Sequence, residues 1–286
     1  MSSATYAVNC SILLTDLPLL KRPAAAREAG FEAVEFWWPF AEPGPPDGDV
    51  DAFVRAIRNA GVQLSGLNFA AGDMAAGDRG ILSDPGSVSA FRDSVDVAVE
   101  IAKTLGTRAF NALYGNRIEG LAPAAQDDVA AENLAYAAQA AQRIGATVLI
   151  EPVSGAPRYP IRTAADAARV VDRVRSRAGY ENLRVLADLY HLHVNGDDVA
   201  AALHAHADRV GHVQIADSPG RGEPGTGEIA LDKYLGMLLD RGYGGYIGLE
   251  YKASRPDTFD WLPTAERGPG GVNAESLAAH AGTRNQ

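Results

Sequence analysis

Short apolar runs of strand length alternate along the chain with longer segments that keep a helical spacing of apolar residues. The strand-like runs are YAVNCS from Tyr6, AVEFW from Ala33, QLSGLNF from Gln63 and RAFNAL from Arg108. They are followed by TVLIE, RVLAD, GHVQ and YIGLE, which end at Glu151, Asp188, Gln214 and Glu250. Between them, LSDPGSVSAFRDSVDVAVEIAKTLG sets Val88, Phe91, Val95, Val99 and Ala102 on one stripe, behind the start signals Ser83, Asp84 and Pro85. LTDLPLLKRPAAAREAG predicts a helix capped by Thr15 or Asp16 and ended by Gly30, and DDVAAENLAYAAQAAQRIG one ended by Gly145. Further helices fit residues 163–177, 198–207 and 231–241.

The order is thus β-α repeated about eight times, which predicts an α/β protein folded as one closed (β/α)₈ TIM barrel. An open doubly wound sheet that binds a dinucleotide would carry a GxGxxG turn after its first strand, and none is present. The barrel is expected over residues 1–262. From residue 263 the chain turns rich in Gly, Ala and polar groups and loses its apolar stripe. That composition predicts a mobile C-terminal extension over 263–286, with a short helix around Glu275 to His280.

The last four strand-like runs each end in an oxygen-bearing side chain, where a buried charge or amide is disfavoured without a partner. Each lies one strand plus one helix from the next. In a barrel, Glu151, Asp188, Gln214 and Glu250 would therefore meet at the C-terminal end of strands five to eight, the usual place for an active site. Three carboxylates brought together repel unless a cation holds them. Oxygen donors without thiolates favour a hard divalent cation, Mg²⁺ or Mn²⁺, over zinc.

Composition narrows the partners. The chain has 286 residues, 47 % of them hydrophobic, and a net charge of −10, which makes a nucleic-acid phosphate backbone a poor partner. No stretch approaches the ~20 apolar residues of a membrane span, and the N-terminus lacks the pattern of a signal peptide. The single cysteine, Cys10, excludes an internal disulfide and suits a cytoplasmic setting. A homodimer is the default assembly.

Several further residues are candidates to touch substrate or to orient the ligands. His191 follows Asp188 in DLYH, and Lys252 lies two residues beyond Glu250. Long irregular loops offer Arg79 (AAGDMAAGDRGI), Arg158 (PVSGAPRYPIRTA), and Arg221 with Glu223 (ADSPGRGEPGTGEI). An arginine there suits a substrate carboxylate. Trp37 and Trp38 are expected to pack in the core sooner than to wall a pocket. Glu35, a strand carboxylate, is expected to join the site or to bond a neighbouring strand.

The same residues resemble the hydroxypyruvate isomerase family, within the xylose-isomerase-like barrels. The likeness runs from VNCSILLTDLPLLKRPAAAREAGFEAVEFWWPF through NFAAGDMAAGDRG to IEPVSG, ADLYH, HVQIADSPGRGEPGTGEI and GYGGYIGLEYK. It implies divalent-metal ligation by Glu151, Asp188, Gln214 and Glu250, with Glu151 and Glu250 as the proton-transferring pair. Related epimerases usually place a histidine where this chain has Gln214. The reaction implied is hydroxypyruvate ⇌ tartronate semialdehyde through an enediolate; a hydride shift is the route that sequence leaves open. Other readings are an isomerase, epimerase or dehydratase of another small sugar acid such as a 2-oxo-tetronate, a metal-dependent endonuclease on the same barrel, and a non-catalytic sugar-acid binding protein.

Overall fold

A computed structural model describes residues 2–255 and 257–284, with side chains through His280. Eight parallel strands close on themselves in sequence order, β1 pairing with both β2 and β8. They are β1 (Thr5–Asn9), β2 (Ala33–Phe36), β3 (Gln63–Asn68), β4 (Ala109–Asn111), β5 (Thr147–Ile150), β6 (Leu183–Asp188), β7 (Val210–Ile215) and β8 (Tyr246–Leu249). The predicted (β/α)₈ barrel is the observed fold. Closure leaves no edge strand, and the packed interior and the surrounding helices bury both faces of the sheet, which explains why the runs read as near-continuous apolar stretches.

The helices follow from local signals. They are α1 (Arg22–Glu28), α2 (Asp47–Ala60), α3 (Val88–Leu105), α4 (Pro123–Gln142), α5 (Ala164–Ala178), α6 (Leu189–Val194), α7 (Val199–His206), α8 (Leu231–Asp240) and α9 (Ala274–Arg284). Thr163 caps α5 in a capping box with Asp166, and Asp198 caps α7. Asp84 caps a 3₁₀ turn over Pro85–Ser87 that leads into α3.

The first helix starts later than its sequence suggests, at Arg22 and not after Thr15 or Asp16. Pro23 accounts for this, because a proline fits the first turn of a helix and breaks an interior one. Two helices were not anticipated individually. One is α2; the other is α6, a short helix that leaves β6 directly and carries His191.

The C-terminal segment packs under the barrel, at the opposite end from the strand C-termini. Val272 pairs with Ala4 through two backbone hydrogen bonds of 2.8 and 3.0 Å, just ahead of β1. Arg267 donates to the carbonyls of Ala29, Phe259 and Leu262. Leu262, Val272 and Leu277 are buried, and α9 lies against α8. The short helix expected around Glu275 to His280 falls within α9.

Candidate active site

A buried polar side chain sits at the C-terminal end of each strand, within one residue of its last position: Asn9, Glu35, Asn68, Asn111, Glu151, Asp188, Gln214 and Glu250. Four of these were singled out from sequence. The other four form part of the same ring, and three of them, Asn9, Glu35 and Asn111, make connections that fix it. Asn111 donates to Glu151 Oε2 at 2.6 Å. Asn9 and Gln214 both donate to Glu35 Oε1, at 2.9 and 2.7 Å, and His212 Nε2 meets Glu35 Oε2 at 2.6 Å. Glu35 therefore does bond a neighbouring strand, β1, as one of its two expected roles had it, and also reaches β7 across the barrel.

Above this ring opens a cavity of about 690 Å³ lined by Glu151, Glu250, His191, Arg79 and Arg221, with Trp37 and Trp38 among its walls. Trp37 donates its indole N–H to Glu250 Oε1 at 3.2 Å. Both tryptophans thus line the pocket; Trp38 also packs against the core, next to Phe40, as expected, whereas Trp37 serves the pocket instead. The β2–α2 loop that carries them runs on FWWPF, and an apolar run alone does not tell a wall from a core.

Three carboxylates share the floor. Burial, and then the charges of Glu250 and Asp188, hold the Glu151 carboxyl well above the usual range. Burial likewise pushes Glu250 up to about 8, in spite of Arg221 beside it. That guanidinium lies 2.6 Å from Glu250 Oε1 and 3.5 Å from Asp188 Oδ2. Its backbone is in the left-handed region, φ 59°, which costs a non-glycine residue about 1 kcal/mol or more. The surrounding loop holds it there. Asp217 takes hydrogen bonds from the backbone N–H groups of Ser218, Gly225 and Ile229. Arg221 Nε donates to the Glu250 carbonyl, and its own carbonyl accepts from Lys252 N–H.

His191 sits against this cluster, with Nε2 3.6 Å from Asp188 Oδ2 and 3.9 Å from Glu151 Oε1. Burial lowers its pKa to about 4, so the ring is neutral at pH 7. Its Nδ1 accepts the Ser154 backbone N–H at 3.0 Å. In the neutral ring the proton then sits on Nε2, which makes His191 a hydrogen-bond donor into the cavity.

The other candidates divide. Arg79 lines the cavity and is held by the carbonyls of Met74 and Asp78. Gly80, at φ 108°, allows this loop to press on the end of β4, where a Cβ would collide with the Leu113 carbonyl. Glu223 is buried away from the cavity and accepts from Ser254 N–H and Oγ at 2.6 and 2.8 Å. It ties the loop after β7 to the chain after β8 and does not line the cavity. Lys252 is exposed and does not line the cavity. Its position two residues past Glu250 would share a face only if the strand continued, and β8 ends at Leu249.

The donor set fits a hard cation. One ligand atom from each of Glu151, Asp188 and His191 lies within 4.8 Å of the others. Three buried oxygens of the ring, Asn111 Oδ1, Asp188 Oδ2 and Gln214 Oε1, have no hydrogen-bond partner among the described residues. An orphaned acceptor at full burial costs about 1–3 kcal/mol, and a cation held by Asp188 and Gln214 would remove that cost for their two oxygens. Ligation through His191 Nε2 would require that nitrogen to lose its proton, and Nδ1 to gain one against the Ser154 N–H. The carboxylate and amide oxygens carry no such conflict.

Residues 23–273 match the model of the xylose isomerase-like TIM barrel family. The chain belongs to that family. Among xylose isomerase-like barrels, it is 52 % identical to a Streptomyces coelicolor protein named "Putative hydroxypyruvate isomerase", over 92 % of this chain and 96 % of that one. It is 35 % identical to a protein of Cupriavidus necator named 2-oxo-tetronate isomerase, over 86 % and 92 %. A crystal structure from Brucella melitensis, described as an AP endonuclease of family 2, superposes with a TM-score of 0.81 at 33 % identity, covering 92 % and 98 %. The family likeness carried by the loop motifs is thereby borne out.

Proposed function

We propose that this protein is a divalent-metal-dependent aldose–ketose isomerase that interconverts hydroxypyruvate and tartronate semialdehyde. The observation that carries this reading is the pair of buried glutamates, Glu151 and Glu250, on the cavity floor beside two orphaned ligand oxygens. The residues that would hold Mg²⁺ or Mn²⁺ are Glu151, Asp188, Gln214 and Glu250. When bound, the cation supplies Lewis-acid polarisation of the substrate carbonyl and so acidifies the adjacent C–H.

The side chains account for the rest. One glutamate takes the proton from the hydroxymethyl carbon, and an enediolate forms. A proton delivered to the neighbouring carbon completes the change, while the hydroxyl proton passes to the former carbonyl oxygen. Without a cation, burial raises both glutamate carboxyls above the usual range, Glu250 to about 8, the direction expected of groups that exchange protons. His191 donates Nε2–H to a substrate oxygen, and Arg79 and Arg221 offer positive charge to the substrate carboxylate. The Trp37 and Trp38 walls exclude water from the enediolate.

The name of the Cupriavidus relative favours a second reading, a longer acid such as a 2-oxo-tetronate, for which a cavity of about 690 Å³ has room. Cleavage of nucleic acid is disfavoured by the net charge of −10. A panel of hydroxypyruvate and oxo-tetronates, assayed with Mg²⁺ or Mn²⁺ and with chelator, separates these substrates. Glu151→Gln and Glu250→Gln should each remove turnover by at least 10³-fold, a typical scale for loss of a general base, with the fold intact. Near-normal rates in either variant would take that residue out of the proton relay, and full activity under chelator would sink the metal requirement.

A further inference from the structure

Glu35 lies below the cavity floor, 3 % exposed, and no step of the proposed reaction uses it. Its carboxylate is nonetheless fully engaged. Oε1 accepts from the amides of Asn9 and Gln214, and Oε2 meets the His212 ring nitrogen, so three N–H groups from β1 and β7 converge on it. The barrel makes room for this arrangement. Gly248 of β8 faces the carboxylate, and a Cβ there would fall 2.7 Å from Glu35 Oε2. The β2–β3 register shifts between Val34 and Glu35, which sets Glu35 opposite Gly66. The β6–β7 register shifts between Val185 and Leu186, just where His212 enters the pairing. Bulges of this kind re-aim a side chain, and both border the same carboxylate.

The consequence falls on Gln214. An amide offers two different faces, a carbonyl oxygen and an NH₂ group, and only the oxygen can bind a cation. With Nε2 held at 2.7 Å by a carboxylate that accepts and does not donate, Oε1 must point the other way. That oxygen is buried and has no hydrogen-bond partner among the described residues, as is also true of Asp188 Oδ2 and Asn111 Oδ1 in the same ring. We propose that Glu35 is a positioning residue that locks the Gln214 amide, so that its carbonyl oxygen faces a divalent cation held by Glu151, Asp188 and Glu250. The assignment rests on the reading that this site binds such a cation. It gives the Glu35–Gln214 pair the part that a carboxylate plays behind a metal-bound histidine, where it fixes which atom meets the metal.

The test is a double-mutant cycle on the full chain, read as Mn²⁺ affinity from the electron paramagnetic resonance signal of free Mn²⁺. Glu35→Met should weaken Mn²⁺ binding by about 10- to 100-fold, the scale on which such outer partners act. Glu at position 214 needs no orienting, because its two oxygens are equivalent. In the Gln214→Glu background, Glu35→Met should therefore cause no loss. Equal loss in both backgrounds would make Glu35 a structural residue only and overturn the proposal, as would undiminished binding by Glu35→Met. Should Glu35→Met fail to fold, Glu35→Asp keeps the charge but withdraws the carboxylate by one methylene; roughly tenfold weaker binding supports the role, and wild-type affinity overturns it. If the wild-type chain binds no Mn²⁺ at millimolar concentration, the metal reading itself fails. Mn²⁺ bound by wild type and equally by Glu35→Met removes only the positioning role.

Discussion

Arg221→Met probes how the cluster tolerates three carboxylates. The guanidinium contacts Glu250 Oε1 at 2.6 Å and lies 3.5 Å from Asp188 Oδ2, and its side chain is only 16 % exposed. Removing one partner from a buried ion pair costs about 3–5 kcal/mol, because the other charge stays behind unpaired. The lower figure applies here, since Glu250 can take up a proton once the cation is gone. For 286 residues, an unfolding entropy of about 2.1 cal/mol/K per residue gives roughly 0.6 kcal/mol/K. A loss of about 3 kcal/mol therefore lowers the midpoint by about 5 °C. Differential scanning fluorimetry at pH 8 in chelator should show that drop. In saturating Mn²⁺, a bound cation offsets the same charges, and more than half of the deficit should disappear. By linkage, the variant then binds Mn²⁺ more tightly than the wild type does. An equal deficit with and without metal would refute the reasoning, for the arginine would then stabilise the loop and not the charge cluster.

Two other expectations concern the same neighbourhood. In the metal-free protein, the Glu250 carboxyl is raised from 4.5 to about 8, so the folded state holds a proton that the unfolded chain releases, and stability falls as pH rises between those values. His191, lowered from 6.5 to about 4, acts oppositely but only below about pH 6.5. Thermal midpoints of chelated protein should accordingly decline from pH 6.5 to 8, and Glu250→Gln should flatten the decline; a flat wild-type profile would contradict it. Gly248→Ala places a methyl against the Glu35 carboxylate and should cost about 1–3 kcal/mol by overpacking, measured by chemical denaturation. A change below 0.5 kcal/mol would mean that the carboxylate can move aside.

Much of this protein is written along the chain. The alternation of strand-length and helix-length runs sets the barrel, because each strand is buried on both faces and each helix on one. The strand-end rule places Glu151, Asp188, Gln214 and Glu250 in one mouth, and the same rule covers the polar residues in VN, VEF, LNF and FNA at the ends of the first four strands. What the sequence could not settle is which way those side chains point and whom they meet. Glu223 and Arg221 are two residues apart in one loop, yet the first turns to Ser254 and the second to Glu250. Lys252 looks like a neighbour of Glu250, but β8 ends before either, and the alternation of faces ends with it. Trp37 reaches Glu250 across 213 residues of chain, and Gln214 owes the orientation of its amide to Glu35, 179 residues earlier. Periodicity determines which residues reach the end of a strand, since it follows from backbone geometry shared by all strands. Partners across the barrel depend on register, bulges and the absence of a side chain at Gly248, and these exist only once the sheet has closed.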